Sequence, residues 1–266
     1  MFQPVVPLTG YVGWKFLERT LAPQQEAFES STVLARAKDH FRENIGQINS
    51  AEALVNDRQL LEVALGAFGL SEDIDNKFFI QKILSDGTTS DDALSNRLAD
   101  KRYRAFSEAF GFGESAAPKT VYAGFPDKII DLYTQKEFER AVGEQDNDLR
   151  LALNVETSLE NVSKQTQATD SQWFAVMGDP PLRQVMEKAL GLPSSFAQID
   201  IDQQLSTFKE RASATFGTDR VSDLLEPEQQ EKLIRLFLIR SEAATSSISG
   251  GANAALTLLR SVPPLY

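Results

Sequence analysis

The chain has 266 residues, with 38 acidic and 27 basic side chains, a formal net charge of −11, no Cys and a single His. The absence of Cys excludes disulfide frameworks, zinc ribbons, iron–sulfur sites and thiol catalysis, and one His cannot form a His-rich metal site. The acidic balance argues against nonspecific nucleic-acid binding, which needs a net basic surface. With 42% apolar and 24% charged residues, the composition is typical of a folded protein of one or two domains.

The first ten residues carry no charge, and Pro4, Pro7 and Gly10 interrupt them. They lack the basic region of a Sec signal peptide, and no run of 18 apolar residues occurs in the chain, so we expect no membrane insertion. Pro-containing apolar starts commonly lie across a protein surface. We therefore expect an extended arm that packs on the body of the protein, and the alternative is a secretion or docking segment.

Apolar spacing of three to four residues predicts helices throughout the first half of the chain. The clearest runs from Leu60 to Phe68, with Asn56 or Asp57 as its N-cap and Gly69 as its stop. Four other helices are predicted in this half. One follows Trp14, one covers Val33 to Ile45, one passes through Phe78 to Ile80, and one runs from Leu94 to Phe110 and ends before Gly111.

The stretch 114–126 contains Pro118, Gly124 and Pro126 and is the best candidate for a linker. Helical spacing resumes after it, and the only hint of a strand is Thr120 to Tyr122. Six helices are predicted in the second half. The first starts at Pro126 or Asp127, the second covers Leu149 to Val162, and the third starts within Gly178 to Pro181. The fourth covers Ile199 to Phe216, the fifth starts at Pro227 and ends at a break over Ser249 to Gly251, and a short sixth helix passes through Leu256 and Leu259.

The sequence therefore predicts an all-α protein of two multi-helix modules, residues 1–113 and 127–266, joined by the linker 114–126. Residues 54–70 and 176–192 align without gaps, and six of the 17 positions are identical. The shared positions are the cap, the buried face and the stop of a helix, which suggests that the modules are an internal repeat. Convergence of two capped amphipathic helices is the alternative.

The last predicted long helix is apolar on more than one side, through Leu233, Leu236, Phe237, Leu238 and Ile239. A helix of this kind is buried, either inside the fold or against a partner. We favour the interior of the fold and leave the oligomeric state open. Trp14 and Trp173 are also expected in the core, since aromatic side chains bury large areas.

No residue stands out as catalytic, cofactor-binding or metal-binding. His40 would need an orienting carboxylate and a nucleophile brought by the fold, and Ser206 with Lys209 matches a Ser-x-x-Lys pattern that lacks its partner motifs. The acidic loops 72–75 and 86–92 lack the Gly and Glu spacing of a calcium loop, and we interpret them as caps and turns. The glycines 66, 69, 111 and 113 do not form a phosphate-binding loop, because they follow no strand and precede no Gly-Lys-Ser/Thr.

Four separated blocks of sequence resemble a bacterial family of unknown function whose genes often lie in flagellar clusters, next to basal-body rod genes. The blocks are Thr9-Gly-Tyr-Val-Gly-Trp-Lys-Phe-Leu-Glu-Arg-Thr20, His40-Phe-Arg-Glu-Asn-Ile-Gly46, Ala53-Leu-Val-Asn-Asp-Arg-Gln-Leu-Leu-Glu-Val-Ala-Leu-Gly-Ala-Phe-Gly-Leu70, and Leu98-Ala-Asp-Lys-Arg-Tyr-Arg-Ala-Phe106 with Phe110-Gly-Phe112. The family has no established catalytic residues, so the resemblance supplies no site.

The resemblance implies a non-enzymatic, flagellum-associated interaction protein that acts in basal-body assembly or its regulation. Its expected partners are flagellar rod, switch or export components, with no nucleic acid and no cofactor. We expect it in the cytoplasm, or exported to the flagellum without a Sec signal peptide. The alternatives are a helical module that binds a peptide or a small ligand, and an enzyme without a recognisable motif.

Overall fold

The structure is a computed structural model that describes residues 3–114 and 117–261, apart from the side chains of residue 165 and of residues 246–261. Thirteen α-helices and five short 3₁₀ turns make up this part of the chain, which contains no strand. The all-α prediction is confirmed.

The helices follow from the apolar spacing and the caps of the sequence. In chain order they are α1 (Gly10–Glu29), α2 (Thr32–Asn44), α3 (Ala51–Asn56), α4 (Arg58–Gly66), α5 (Lys77–Asp86), α6 (Leu94–Arg97), α7 (Arg102–Phe110), α8 (Phe125–Gly143), α9 (Asn147–Gln165), α10 (Thr169–Met177), α11 (Pro180–Leu190), α12 (Ile201–Phe216) and α13 (Pro227–Ser261). The 3₁₀ turns are Ile45–Gln47, Ser71–Asp73, Lys119–Val121, Phe196–Gln198 and Val221–Leu225.

Helix ends agree with the chemistry of the capping residues. The Asp57 carboxylate accepts hydrogen bonds from the amides of Gln59 and Leu60, both at 3.0 Å, and so satisfies the first turn of α4. Gly111 ends α7 in the left-handed conformation, with φ of 67°, which side chains other than glycine adopt only at a cost.

The first compact unit comprises residues 3–6, 16–150 and 177–180. Its centre is formed by α2, α4 and α8, each of which packs against the other two, while α3 and α7 pack on α5. Phe41, Leu60 and Phe138 are fully buried here. The predicted amphipathic faces thus meet in one core.

Two side-chain amides hold the part of the N-terminal arm that belongs to this unit. The amide of Val5 donates to Gln24 Oε1 at 2.6 Å, and Gln24 Nε2 donates back to the Val5 carbonyl at 3.2 Å. Gln145 Nε2 donates to the carbonyl of Pro4 at 2.6 Å. These bonds satisfy backbone groups of Pro4 and Val5 that lie outside any helix and would otherwise bond to water.

The second compact unit comprises residues 7–15, 151–176 and 181–261. Trp173 is fully buried, stacks on Phe208 with 5.2 Å between the ring centroids, and donates from Nε1 to the carbonyl of Asp219 at 2.7 Å. Trp14 is also buried. The core placement predicted for both tryptophans is confirmed.

The two units divide the chain near residue 150, whereas the predicted modules were separated by the linker 114–126. The difference arises from α8, which follows the linker but packs on α2 and α4 of the first unit. Its apolar residues Ile129, Ile130 and Phe138 are buried there. Residues 115 and 116 of the predicted linker lie outside the described part of the chain.

Three local predictions are wrong. The single helix expected from Leu94 to Phe110 is divided into α6 and α7, because residues 98–101 are not helical. The break expected over Ser249 to Gly251 is absent, because α13 continues from Pro227 to Ser261 and includes the short helix expected through Leu256 and Leu259. Glycine lowers helix stability by about 1 kcal/mol relative to Ala, which weakens a helix without ending it. The strand hint at Thr120 to Tyr122 is part of a 3₁₀ turn, in which the Thr120 hydroxyl donates to the carbonyl of Ile48.

The internal repeat stays a prediction. The structure gives its two copies similar ends, since Gly69 and Gly191 have φ of 67° and 68° and Asp57 and Asp179 each precede a helix. Two capped amphipathic helices would share these features by convergence as well.

Candidate functional site

Two surface clefts of the first unit border α2. The His40 cleft has a volume of about 230 Å³ and is lined by Val33, Arg36, Ala37, His40, Gln59, Glu62 and Tyr133. The Phe28 cleft has a volume of about 280 Å³ and is lined by Gln25, Phe28, Glu29, Lys38, Asp131, Thr134, Gln135 and Phe138.

His40 lies beside a carboxylate but is not hydrogen-bonded to it. Its Nε2 atom is 3.8 Å from Asp57 Oδ2, beyond hydrogen-bond distance, and its Nδ1 atom is 3.3 Å from the side-chain nitrogen of Asn44. Asp57 is already engaged as the cap of α4. No Ser or Thr lines the His40 cleft, so His40, a carboxylate and an aliphatic hydroxyl are not brought together there.

Tyr133 is the buried residue among those that line the His40 cleft. Its side chain is 5% exposed, and its ring lies so close to Gly66 that a Cβ atom at that position would be 2.7 Å from two ring carbons. Burial raises the pKa of the Tyr133 phenol, the carboxylates of Glu137 and Glu62 raise it further, and Arg140 opposes them. The phenol therefore stays neutral, as a hydrogen-bond donor rather than a nucleophile.

Opposite charges line the His40 cleft without pairing. Within the described chain, Arg36 and Glu62 make no ion pair or hydrogen bond through their side chains, and Gln59 makes none through its side-chain amide. The nearby Arg58 and Asp75, by contrast, pair at 2.9 Å. The cleft thus offers a cation, an anion, an amide and a phenol to a ligand.

The Phe28 cleft has an aromatic floor and a charged rim. Phe28 and Phe138 meet edge to face, with 5.6 Å between ring centroids. Thr134 donates its hydroxyl proton to the carbonyl of Ile130. The rim carries Glu29 and Lys38, which form no ion pair with any described residue.

The other residues weighed in the sequence have structural partners. Ser206 donates to the carbonyl of Gln203, whereas Lys209 donates to Asp170 at 2.7 Å, a bond that raises the pKa of the lysine and keeps it charged. The structure therefore does not form a Ser–Lys catalytic pair.

The acidic loops 72–75 and 86–92 are likewise engaged by the protein. Asp73 accepts from the Tyr103 hydroxyl at 2.6 Å, and Asp86 accepts from Lys82. Across residues 3–114 and 117–261, no three acidic or His side chains are grouped as a metal site. No helix among these residues is both long and apolar enough to cross a membrane.

The family of the chain follows from comparison with known sequences. The family described as "protein of unknown function (DUF1217)" matches residues 67–229, which is more than half of the chain. The chain belongs to this family. Among curated proteins, none matches it.

The DUF1217 fold also occurs in a solved structure. The crystal structure of protein AGR_C_984 from Agrobacterium tumefaciens is similar to this chain with a TM-score of 0.72 over 90% of this chain and 98% of that one, at 23% sequence identity. At this identity the likeness concerns the fold alone.

Sequence reasoning weighed His40 but missed the groups around it. Arg36, Glu62 and Tyr133 are 26 to 97 residues apart in the chain, and only the packing of α2, α4 and α8 makes them neighbours. The one local signal was Gly66, a helical glycine at a position where Ala would ordinarily be preferred, which marks a close approach by another element.

Proposed function

We propose that this DUF1217 protein is a non-enzymatic interaction protein of the bacterial flagellum, which acts in the assembly of the basal body or in its regulation. The observation that carries the proposal is the ordered set of four sequence blocks between Thr9 and Phe112, which resembles a family encoded next to basal-body rod genes. The expected partners are rod, switch or export components.

One exposed aromatic side chain supports the interaction part of the proposal. On α5, Ile80 is fully buried and Phe79 packs against Tyr103, whereas Phe78 is 82% exposed. A Phe in water contributes little to the stability of the fold, but its burial against a partner contributes about 1.5–3 kcal/mol. Aromatic side chains are enriched in protein interfaces for this reason.

The non-enzymatic part is supported by the chemistry of the two clefts. Their hydroxyl groups belong to Tyr133, whose pKa is raised, and to Thr134, whose proton is donated within α8. Neither arrangement activates a nucleophile. The clefts favour one second candidate, a module that binds a peptide or a small ligand, and this role is compatible with the first.

A deletion strain tests the flagellar role. We expect the strain to swim poorly or to have incomplete basal bodies in electron micrographs, and the wild-type gene on a plasmid to restore both. Normal swimming together with normal basal bodies would contradict the proposal. Cell fractionation of the complemented strain then separates a cytoplasmic factor from a component exported to the flagellum.

A further inference from the structure

Gln24 binds the backbone of the N-terminal arm, which comprises residues 3–9. Its side-chain oxygen accepts from the Val5 amide at 2.6 Å, and its side-chain nitrogen donates to the Val5 carbonyl at 3.2 Å. Gln24 is 7% exposed, so the site is mostly closed to water. A buried amide that pairs with both backbone groups of one residue holds an extended segment through its main chain.

Gln24 is held in this orientation by its own helix. Gln24 Nε2 also donates to Thr20 Oγ1 at 2.8 Å, and the Thr20 hydroxyl donates to the carbonyl of Phe16 at 2.9 Å. Because Phe16 takes the Thr20 proton, the Thr20 oxygen accepts from Gln24, which fixes the direction of the Gln24 amide. The site therefore keeps its shape when the arm leaves, and the arm of another molecule would find it preformed.

The arm reverses direction to reach this site. Val5 precedes α1, whereas Gln24 lies in the second half of α1, so the chain turns back between them. Gly10 has φ of 61°, a left-handed conformation that other residues adopt only at a cost. Residues 7–9 are exposed. Release of the arm therefore breaks few contacts, and a straightened Gly10 would let the arm reach a second molecule.

Two apolar side chains that border this turn in the sequence are left in water. Leu8 precedes α1 and is 48% exposed, and Val12 in the first turn of α1 is 66% exposed. No charged side chain precedes Lys15. When two copies exchange a terminal segment, their hinges pass each other about a twofold axis and form an interface that the single molecule lacks. Leu8 and Val12 would be buried there without a buried charge.

We propose that two copies of this chain exchange their N-terminal arms to form a dimer. Gln24 of each copy binds Val5 of the partner subunit, and the apolar side chains at the two hinges pack against each other. A second copy fits the site because its arm makes the contacts that the single molecule already makes and also brings the apolar hinge. Two chains of charge −11 repel each other, so the dimer should strengthen as salt screens them. The proposal goes beyond the flagellar role and does not depend on it.

Sedimentation velocity of the full chain tests the proposal. We expect a concentration-dependent equilibrium between monomer and dimer. Val12→Ser should weaken the dimer by about tenfold, because it removes apolar surface from the hinge interface. Val33→Ser is the matched control, since Val33 is 52% exposed on α2, and it should leave the equilibrium unchanged.

The hinge glycine gives a test in the opposite direction. An added Cβ at Gly10 would collide with the Glu242 carboxylate, so Gly10→Ala is combined with Glu242→Ala and compared with Glu242→Ala alone. Alanine disfavours the left-handed conformation of the folded-back arm. The double variant should therefore contain more dimer than the single variant at the same concentration.

A mixing experiment distinguishes arm exchange from an ordinary interface. Gln24→Ala removes the site and leaves the arm, whereas Val5→Pro removes the amide donor of the arm and leaves the site. Each variant alone should dimerise about tenfold more weakly than the unmodified chain. Their equimolar mixture should contain more dimer than either, because the intact arm of one meets the intact site of the other. Gln25→Ala, which changes the Phe28 cleft instead, should dimerise normally.

Three results would overturn the proposal. They are a chain that stays monomeric up to about 1 mM, a dimer that Gln24→Ala and Val5→Pro both leave unchanged, and a mixture of these two variants that is no more dimeric than its components. Circular dichroism of each variant confirms that it is folded, so that a change in the equilibrium reports on the arm.

Discussion

Replacement of Gly66 by Ala tests how tightly α4 and α8 are packed beneath the His40 cleft. In an open helix the change would stabilise the protein by up to about 1 kcal/mol, since Ala has the higher helix propensity. At Gly66 the new Cβ atom would lie 2.7 Å from Cδ2 and Cε2 of Tyr133, while ordinary contacts begin at 3.4 Å. The ring is buried and must shift with its helix.

Overpacking of this kind costs about 1–3 kcal/mol, so we expect Gly66→Ala to lower the free energy of unfolding by about 1–2 kcal/mol after the propensity gain is included. Gly46→Ala is the matched control, because no atom lies within 4 Å of its added Cβ. It should be neutral or slightly stabilising. Urea denaturation followed by circular dichroism measures both variants, and equal stabilisation of the two would refute the close approach of Tyr133.

Three further predictions concern a helix cap, a buried helix and a titrating carboxylate. Asp57→Ala should lower the free energy of unfolding by about 1 kcal/mol, while Asp57→Asn should retain most of the cap. If urea denaturation showed the same loss of stability in both variants, the capping role of Asp57 would be contradicted. Leu238→Asp places a charge in the core of the second unit and should remove the helical signal in circular dichroism. Ile239→Asp is the control, because residue 239 is 48% exposed, and it should keep that signal. A Leu238→Asp variant that stayed helical and only changed its size in gel filtration would instead indicate an interface. The hydrogen bond from Lys82 lowers the pKa of Asp86, so the stability that the carboxylate contributes is present above about pH 4 and is lost as the pH falls through its folded-state pKa. The stability difference between the unmodified chain and Asp86→Asn should therefore shrink in acid, and growth of this difference in acid would contradict the assignment.

Local chemistry made most of the helices predictable. A side chain such as Asp57 satisfies amides two and three residues away, and Gly111 ends a helix through its own backbone, so both signals lie within a few residues of sequence. The errors occurred where a local signal was overridden. Two adjacent glycines did not end α13, and a β-branched pair after Pro118 formed a single turn instead of a strand.

The clefts and the unit boundary could not be predicted in the same way. Both depend on α8 packing against α2 and α4, contacts that join residues up to about 100 positions apart. Apolar periodicity shows which face of a helix is buried, but it does not show which helix covers that face. The position of Tyr133 above Gly66 therefore became visible only in three dimensions.

Affinity capture from motile cells tests the central claim most directly. The bait is the full chain, and Phe78→Ala is the matched variant, which should fold normally because the side chain is 82% exposed. We predict that flagellar rod, switch or export proteins are enriched with the unmodified chain and reduced with the variant. A capture that contains no flagellar component, from cells in which the bait replaces the native protein, would contradict the account.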